Sequence, residues 1–413
     1  MFYAVMSASI VIMLVSLWAT DGWLARTFIF AGGNPNTDTF MDFFNSVVNT
    51  YNNPYDAKVI YPAICSLIYR LFLKLIMPQD FESVIINPDK SAQPPELKIY
   101  QSFMFAYIIF ALVVIVLFFL AIGALMRSKG NADKTLMAFF CLFSAPFLFL
   151  IERGNILILS LVFTMLFIAY YDHKNKAVRE IALICLAFAI AIKIYPVVFG
   201  VILLNEKKYK ELIRAAIYTL IVFFVPFLFF GGIEGVGKFI RNLNSTSSNN
   251  SAGINRQLSF QKFAIYLGKV FGSDSGVWMV IGKVIMVVFS AVGAFCLFIS
   301  KERWKTCALC VCLIVGVPSM SSRYSLTFLI IPIILLIMDE YENKAFSYVC
   351  LSIMSAIFLV KPIYIKWFSD INIYIGYKID SFLYLALFII LCVNIIFVFV
   401  KRVRCKNETH GRA

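Results

Sequence analysis

Runs of apolar residues, most of them closed by a short polar segment, recur along this chain from Phe2 to Val400. Crossing a bilayer as a helix takes about 20 apolar residues. The runs at 2–19, 100–126, 213–230, 277–299 and 382–400 meet or approach that length. Those at 136–151, 156–171, 181–192, 197–204, 306–317, 326–338 and 346–360 fall short of it. Between the short runs lie three polar knots: Glu152-Arg-Gly-Asn155, Lys193-Ile-Tyr-Pro196 and Pro318-Ser-Met-Ser-Ser-Arg-Tyr324. Charge and irregular backbone at such depth are tolerated only where protein buries them or a cavity receives them. The pattern predicts an all-α polytopic membrane protein, one domain over 1–413, with about twelve transmembrane helices.

Loop charge gives a sidedness to this pattern. The segments 127–134, 172–179, 205–212, 300–305, 339–344 and 401–413, with Arg214, hold about half of the 37 Lys and Arg in few residues, which marks them as cytoplasmic. Two large outer loops follow, 24–98 and 231–276, and a cytoplasmic tail at 401–413. The assignment closes only if 58–78, apolar but interrupted by Pro62, Arg70 and Lys74, lies at the outer surface as a juxtamembrane helix or re-enters. The run 2–18 lacks a basic leader and a small-residue cleavage site, so it is expected to stay as the first helix. All three knots then face outward.

Composition changes little in this picture. At 61% hydrophobic and 15% charged, the chain is far from a soluble average. The net charge of +14 would suit a polyanion, but the cations sit at helix ends and short loops, so the bilayer and not nucleic acid is the partner. Only two histidines exist, His173 and His410, which excludes histidine catalysis and a histidine-based zinc site. Cys307, Cys310 and Cys312 fall inside an apolar run without histidine support and are expected to be small core residues, so no metal and no cofactor are predicted.

The chemistry is expected in Thr37–Pro62, a dense stretch of acids, amides and tyrosines. Asp38 and Asp42 are four apart and share a face on a helix. Asp42 is the candidate general base and Asp38 its backup, although helix capping suits Asp38 as well. Lys193, Arg153, Arg323 and Arg256 are candidate ligands of a lipid-linked phosphate, in competition with snorkelling to headgroups or, for Arg153, pairing with Glu152. Tyr55, Tyr61, Asn155, Tyr195 and Tyr324 are candidates to hydrogen-bond or stack on a sugar.

Asp42-Phe43-Phe44, Asn53-Pro-Tyr-Asp56 and Tyr61-Pro62 resemble the opening motifs of glycosyltransferase family 87, within the GT-C superfamily. The likeness continues through Arg153-Gly-Asn155, Lys193-Ile-Tyr-Pro196, Asn255-Arg-Gln-Leu-Ser259 and Pro318-Ser-Met-Ser-Ser322. Ala63 stands where the family has a second proline, and Asn45 and Ser46 where an aromatic is frequent. The resemblance implies an inverting enzyme of the bacterial plasma membrane with an outer-face site. Its donor would be a polyprenyl-phosphate sugar (mannose in the best-known members), its acceptor a glycan or glycolipid, and its base Asp42. A lipid-linked polysaccharide polymerase or ligase and a flippase of lipid-linked glycans compete with it. The scarcity of histidine weighs against the first, and the lack of internal repeats against the second.

Overall fold

The structure, a computed structural model, describes residues 1–29, 39–85, 101–247, 257–271, 275–338, 343–363 and 372–410. Among these residues every regular element is a helix. The amino-terminal part comprises α1 (Phe2–Ala19), α2 (Met41–Asn49), α3 (Ala63–Leu73), α4 (Pro78–Ile85), α5 (Gln101–Leu125), α6 (Asn131–Leu142) and α7 (Ala145–Arg153). There follow α8 (Leu157–Tyr170), α9 (Lys176–Ile192), α10 (Val201–Asn205), α11 (Tyr209–Phe224), α12 (Gly232–Ser247) and α13 (Phe260–Val270). The chain continues through α14 (Ser275–Ile299), α15 (Arg303–Gly316), α16 (Ile330–Met338), α17 (Lys344–Phe358) and α18 (Asn372–His410). Short 3-10 segments precede α10 and α16 and follow α11.

Two kinds of apolar helix build the bundle. α5 is apolar all round: Phe103, Phe110, Val114 and Phe118 are buried, while Phe105, Leu112, Val116 and Leu120 are exposed. A helix greasy on both faces fits a place between protein and hydrocarbon. α8 and α15 are buried on nearly every side, α8 against α5 and α9, and α15 against α16, α18 and the 3-10 turn at Tyr195–Gly200. They are the core, and their polar ends become the two poles of the molecule.

Among the described residues, five helical segments can by length and composition cross a membrane: Phe2–Ala19, Gln101–Leu125, Tyr209–Phe230, Gly276–Ile299 and Ile375–Cys405. α6 and α7 make a sixth if they count as one span, although they meet at 68°. The continuous helix expected over 136–151 is thus broken. Pro146 at the start of α7 cannot carry a helix onward, so a new one begins after Ser144. The count of about twelve takes each short run as a crossing; α8, with 14 residues, is only about 21 Å long. α3 has 11 residues, about 16 Å, too short for the ~30 Å core. The 401–413 tail is helical as far as His410, because α18 runs unbroken for 39 residues.

Candidate functional site

The site forms where the start of α2 meets the end of α7. Gly154 closes α7 in the left-handed region (φ 61°), its N–H bonded to Ile151 O and that of Asn155 to Leu150 O. Left-handed backbone suits a residue without a Cβ. Here a Cβ would also stand 2.6 Å from Phe43 Cβ, so α2 packs directly on the missing side chain. Phe40 stands just before α2 with φ 63°, and its N–H donates to Glu152 O at 2.8 Å. A bulky residue in that region is strained by about 1–3 kcal/mol. The hydrogen bond to Glu152 and a ring contact with Tyr107 (4.1 Å) hold it there.

This junction fixes Asp42 from two sides. Arg153 Nη2 lies 2.5 Å from Oδ1, and both side chains are largely enclosed. Asn155 Nδ2 donates to Oδ2 at 2.6 Å and to Tyr61 Oη at 3.1 Å. The amide of Asn155 cannot face the other way, because its Oδ1 accepts the Leu157 N–H at 2.9 Å. A carboxylate offers about four acceptor directions, so two held contacts leave room for an incoming hydroxyl. Burial, with the Asp42 charge adding to it, pushes the Tyr61 phenol well above its ordinary value, so that it stays protonated.

Lys193 completes the group. Its ammonium sits 4.2 Å from the centre of the Tyr61 ring and 5.9 Å from that of Tyr195. Among the described residues no carboxylate pairs with it. Such a cation over a ring gains about 0.5–2 kcal/mol and keeps its charge available for an anion. Tyr324 lies within electrostatic reach of Lys193, Asp42 and Arg153, its ring stacked on Phe149. The three polar knots and the Asp42 segment therefore meet at one pole.

Two other candidates are already engaged. Tyr55 is enclosed by Phe227, Phe230 and Phe239, with its hydroxyl donated to Tyr61 O at 3.3 Å. Its place is behind Tyr61, supporting the backbone. Arg323, 2% exposed, gives its Nε to Asp380 Oδ2 at 2.8 Å, and Lys361 reaches Oδ1 of the same carboxylate at 2.8 Å. Burial pushes the Lys361 ammonium below its ordinary value, against the pull of Asp380. Arg323 is thus committed to a buried triad that ties the 318–324 knot to α18. Asp38 and Arg256 lie outside the described residues.

Some partners carry no warning in the motif pattern. Asp380 could have been flagged as a lone acid in the last apolar segment, where charge must find a partner. Tyr69 and Tyr107, whose hydroxyls donate to Gly154 O at 3.4 Å and Ile151 O at 2.8 Å, read simply as aromatic residues in apolar runs.

The family model of glycosyltransferase family 87 matches residues 97–321, more than half of the chain. The match includes Arg153, Asn155, Lys193 and Tyr195, while Asp42, Tyr55 and Tyr61 precede it and Arg323 and Tyr324 follow it. No curated protein and no solved structure matches the chain.

Proposed function

The chain belongs to glycosyltransferase family 87, and on that premise we propose that it moves a sugar from a polyprenyl-phosphate donor to a glycan or glycolipid acceptor. It is an integral membrane glycosyltransferase. The finer reading is a GT-C-type enzyme of a bacterial plasma membrane working on the extracytoplasmic face. What carries it is the placement of Asp42, held by Arg153 and Asn155, at the same pole as Lys193, a cation without a carboxylate partner among the described residues.

The acceptor hydroxyl gives its proton to Asp42 as its oxygen attacks the anomeric carbon. That carbon's bond to the phosphate oxygen breaks, and the electron pair leaves with polyprenyl phosphate. Attack opposite the departing phosphate inverts the anomeric centre. Lys193, with Arg153 beside it, holds the growing charge on the phosphate, so the leaving group needs no proton. Tyr61, Tyr195, Asn155 and Tyr324 surround the space where the sugar would lie, while Tyr55 and Arg323 keep that wall in place.

The test is sugar transfer from a panel of polyprenyl-phosphate sugars by purified protein in nanodiscs. Asp42→Asn, which keeps the shape and removes the proton acceptor, is expected to abolish transfer. Wild-type turnover by that variant would sink the assignment.

A further inference from the structure

The opposite pole carries a second polar assembly. α8 starts beside Asn155 and ends at Tyr171, so the two assemblies lie on the order of 24 Å apart along its axis. Two cations flank the Tyr171 ring: Lys208 Nζ is 4.6 Å and the Arg303 guanidinium 4.7 Å from its centre. Glu206 accepts the Tyr171 hydroxyl and pairs with Lys208 at 2.6 Å, so its charge is taken up locally. Arg303 also donates to Ile168 O and stands 3.8 Å from Asp172. Its Nε is enclosed without a hydrogen-bond partner.

A cavity of about 190 Å³ opens here between the ends of α10, α14 and α15, with Asn205, Glu206, Ser300, Lys301, Arg303 and Thr306 on its wall, the Glu206 carboxylate being paired with Lys208. That is far above the ~10–15 Å³ one water requires. Lys301 is exposed and has no ion-pair partner among the described residues. Beside it, sharing Ser300 and Lys301, lies a narrow groove between α14 and α18, lined by Ile299, Glu302, Lys305, Val398, Phe399 and Arg402; at about 10 Å³ it has room for no more than one water. The groove meets the exposed apolar face of α14, with Phe295 and Phe298 bare and Phe295 against Phe399. A pocket with Lys301, Arg303 and two hydroxyls on its wall, and with Glu206 neutralised by Lys208, thus adjoins apolar helix surface.

We propose that this pole binds the phosphate of an anionic membrane lipid, its headgroup in the Lys301–Arg303 pocket and an acyl chain on the exposed apolar face of α14 beside Phe295 and Phe298. The order of features, cations and hydroxyls first and hydrocarbon next, is that of a phospholipid and not of a soluble phosphate. The site shares no residue with the Asp42 pole, so it stands whether or not the reaction proposed above is correct.

Native mass spectrometry tests it, with the full chain released from nanodiscs that contain phosphatidylglycerol and phosphatidylcholine in equal amounts. Wild-type protein should retain phosphatidylglycerol preferentially. Lys301→Ala, which removes an exposed cation without opening the core, should weaken that retention about fivefold, the contribution of one cation at an anionic surface. Arg402→Ala, at the other side of the groove, should act in the same direction. Equal retention of the two lipids, or no effect of Lys301→Ala, would overturn the proposal. A parallel arm replaces the lipid by inorganic phosphate in a neutral-lipid nanodisc and follows thermal unfolding. Stabilisation there equal to that given by phosphatidylglycerol would refute the lipid assignment.

Discussion

Gly154→Ala probes the junction without touching any group that reacts. Two penalties are expected. The left-handed backbone costs an ordinary residue about 1–2 kcal/mol. The added methyl would lie 2.6 Å from Phe43 Cβ and 3.3 Å from Tyr107, neither of them the loose end of a flexible chain. Overpacking of this kind costs about 1–3 kcal/mol. Gly232→Ala separates the terms, because Gly232 has φ 57° and nothing within 4 Å of its missing Cβ. Thermal unfolding in detergent should place both variants below wild type, with the shift at Gly154 about 1.5 to 4 times that at Gly232, an estimate that follows from adding the two terms. Phe43 adjoins Asp42, so relief of the clash also moves the carboxylate. A displacement near 1 Å can cost up to about 100-fold in rate, and transfer by Gly154→Ala should fall toward that limit while Gly232→Ala retains it. Equal melting of the two variants would refute the packing argument. Full activity in Gly154→Ala would show that the contact does not position Asp42.

The buried triad makes a stability prediction. Asp380→Ala leaves Arg323 and Lys361 enclosed without their shared carboxylate, a loss of about 3–5 kcal/mol that should appear as a lower unfolding temperature and poor membrane accumulation. Lys193→Ala should raise the KM for the lipid donor far more than that for the acceptor, with Lys193→Arg recovering most of it; equal effects on both substrates would remove Lys193 from the phosphate.

Much of the Asp42 pole is legible in the sequence because charge inside an apolar run is costly. That rule marks Arg153 and Lys193, and an acid-rich stretch between apolar runs marks Asp42. What the rule leaves open is the partner. Arg323 looks like Arg153 in the sequence, each a cation in a knot closing an apolar run. Only the fold pairs one with Asp42, 111 residues away, and the other with Asp380, 57 residues away. Tyr55 shows the same limit. A tyrosine beside an acidic stretch suits a sugar, but the phenylalanines that enclose it come from the far side of α11, beyond any local pattern. Helix lengths are equally hard to see, since Pro146 breaks a run whose hydropathy is continuous.

The shortness of α8 has an electrical consequence. Polar groups stand at both of its ends, and about 24 Å separates them, where hydrocarbon elsewhere is about 30 Å deep. Were a transmembrane voltage to fall across this thinner septum, it would be steeper by a factor of about 1.25 than in the surrounding lipid. On the reaction proposed above, sugar transfer from a phosphodiester leaves a phosphomonoester whose second ionisation lies near pH 6, so the lipid would gain negative charge at one end of the septum. Release of the spent carrier then moves charge within that field. Its rate should respond to membrane potential even though no charge crosses.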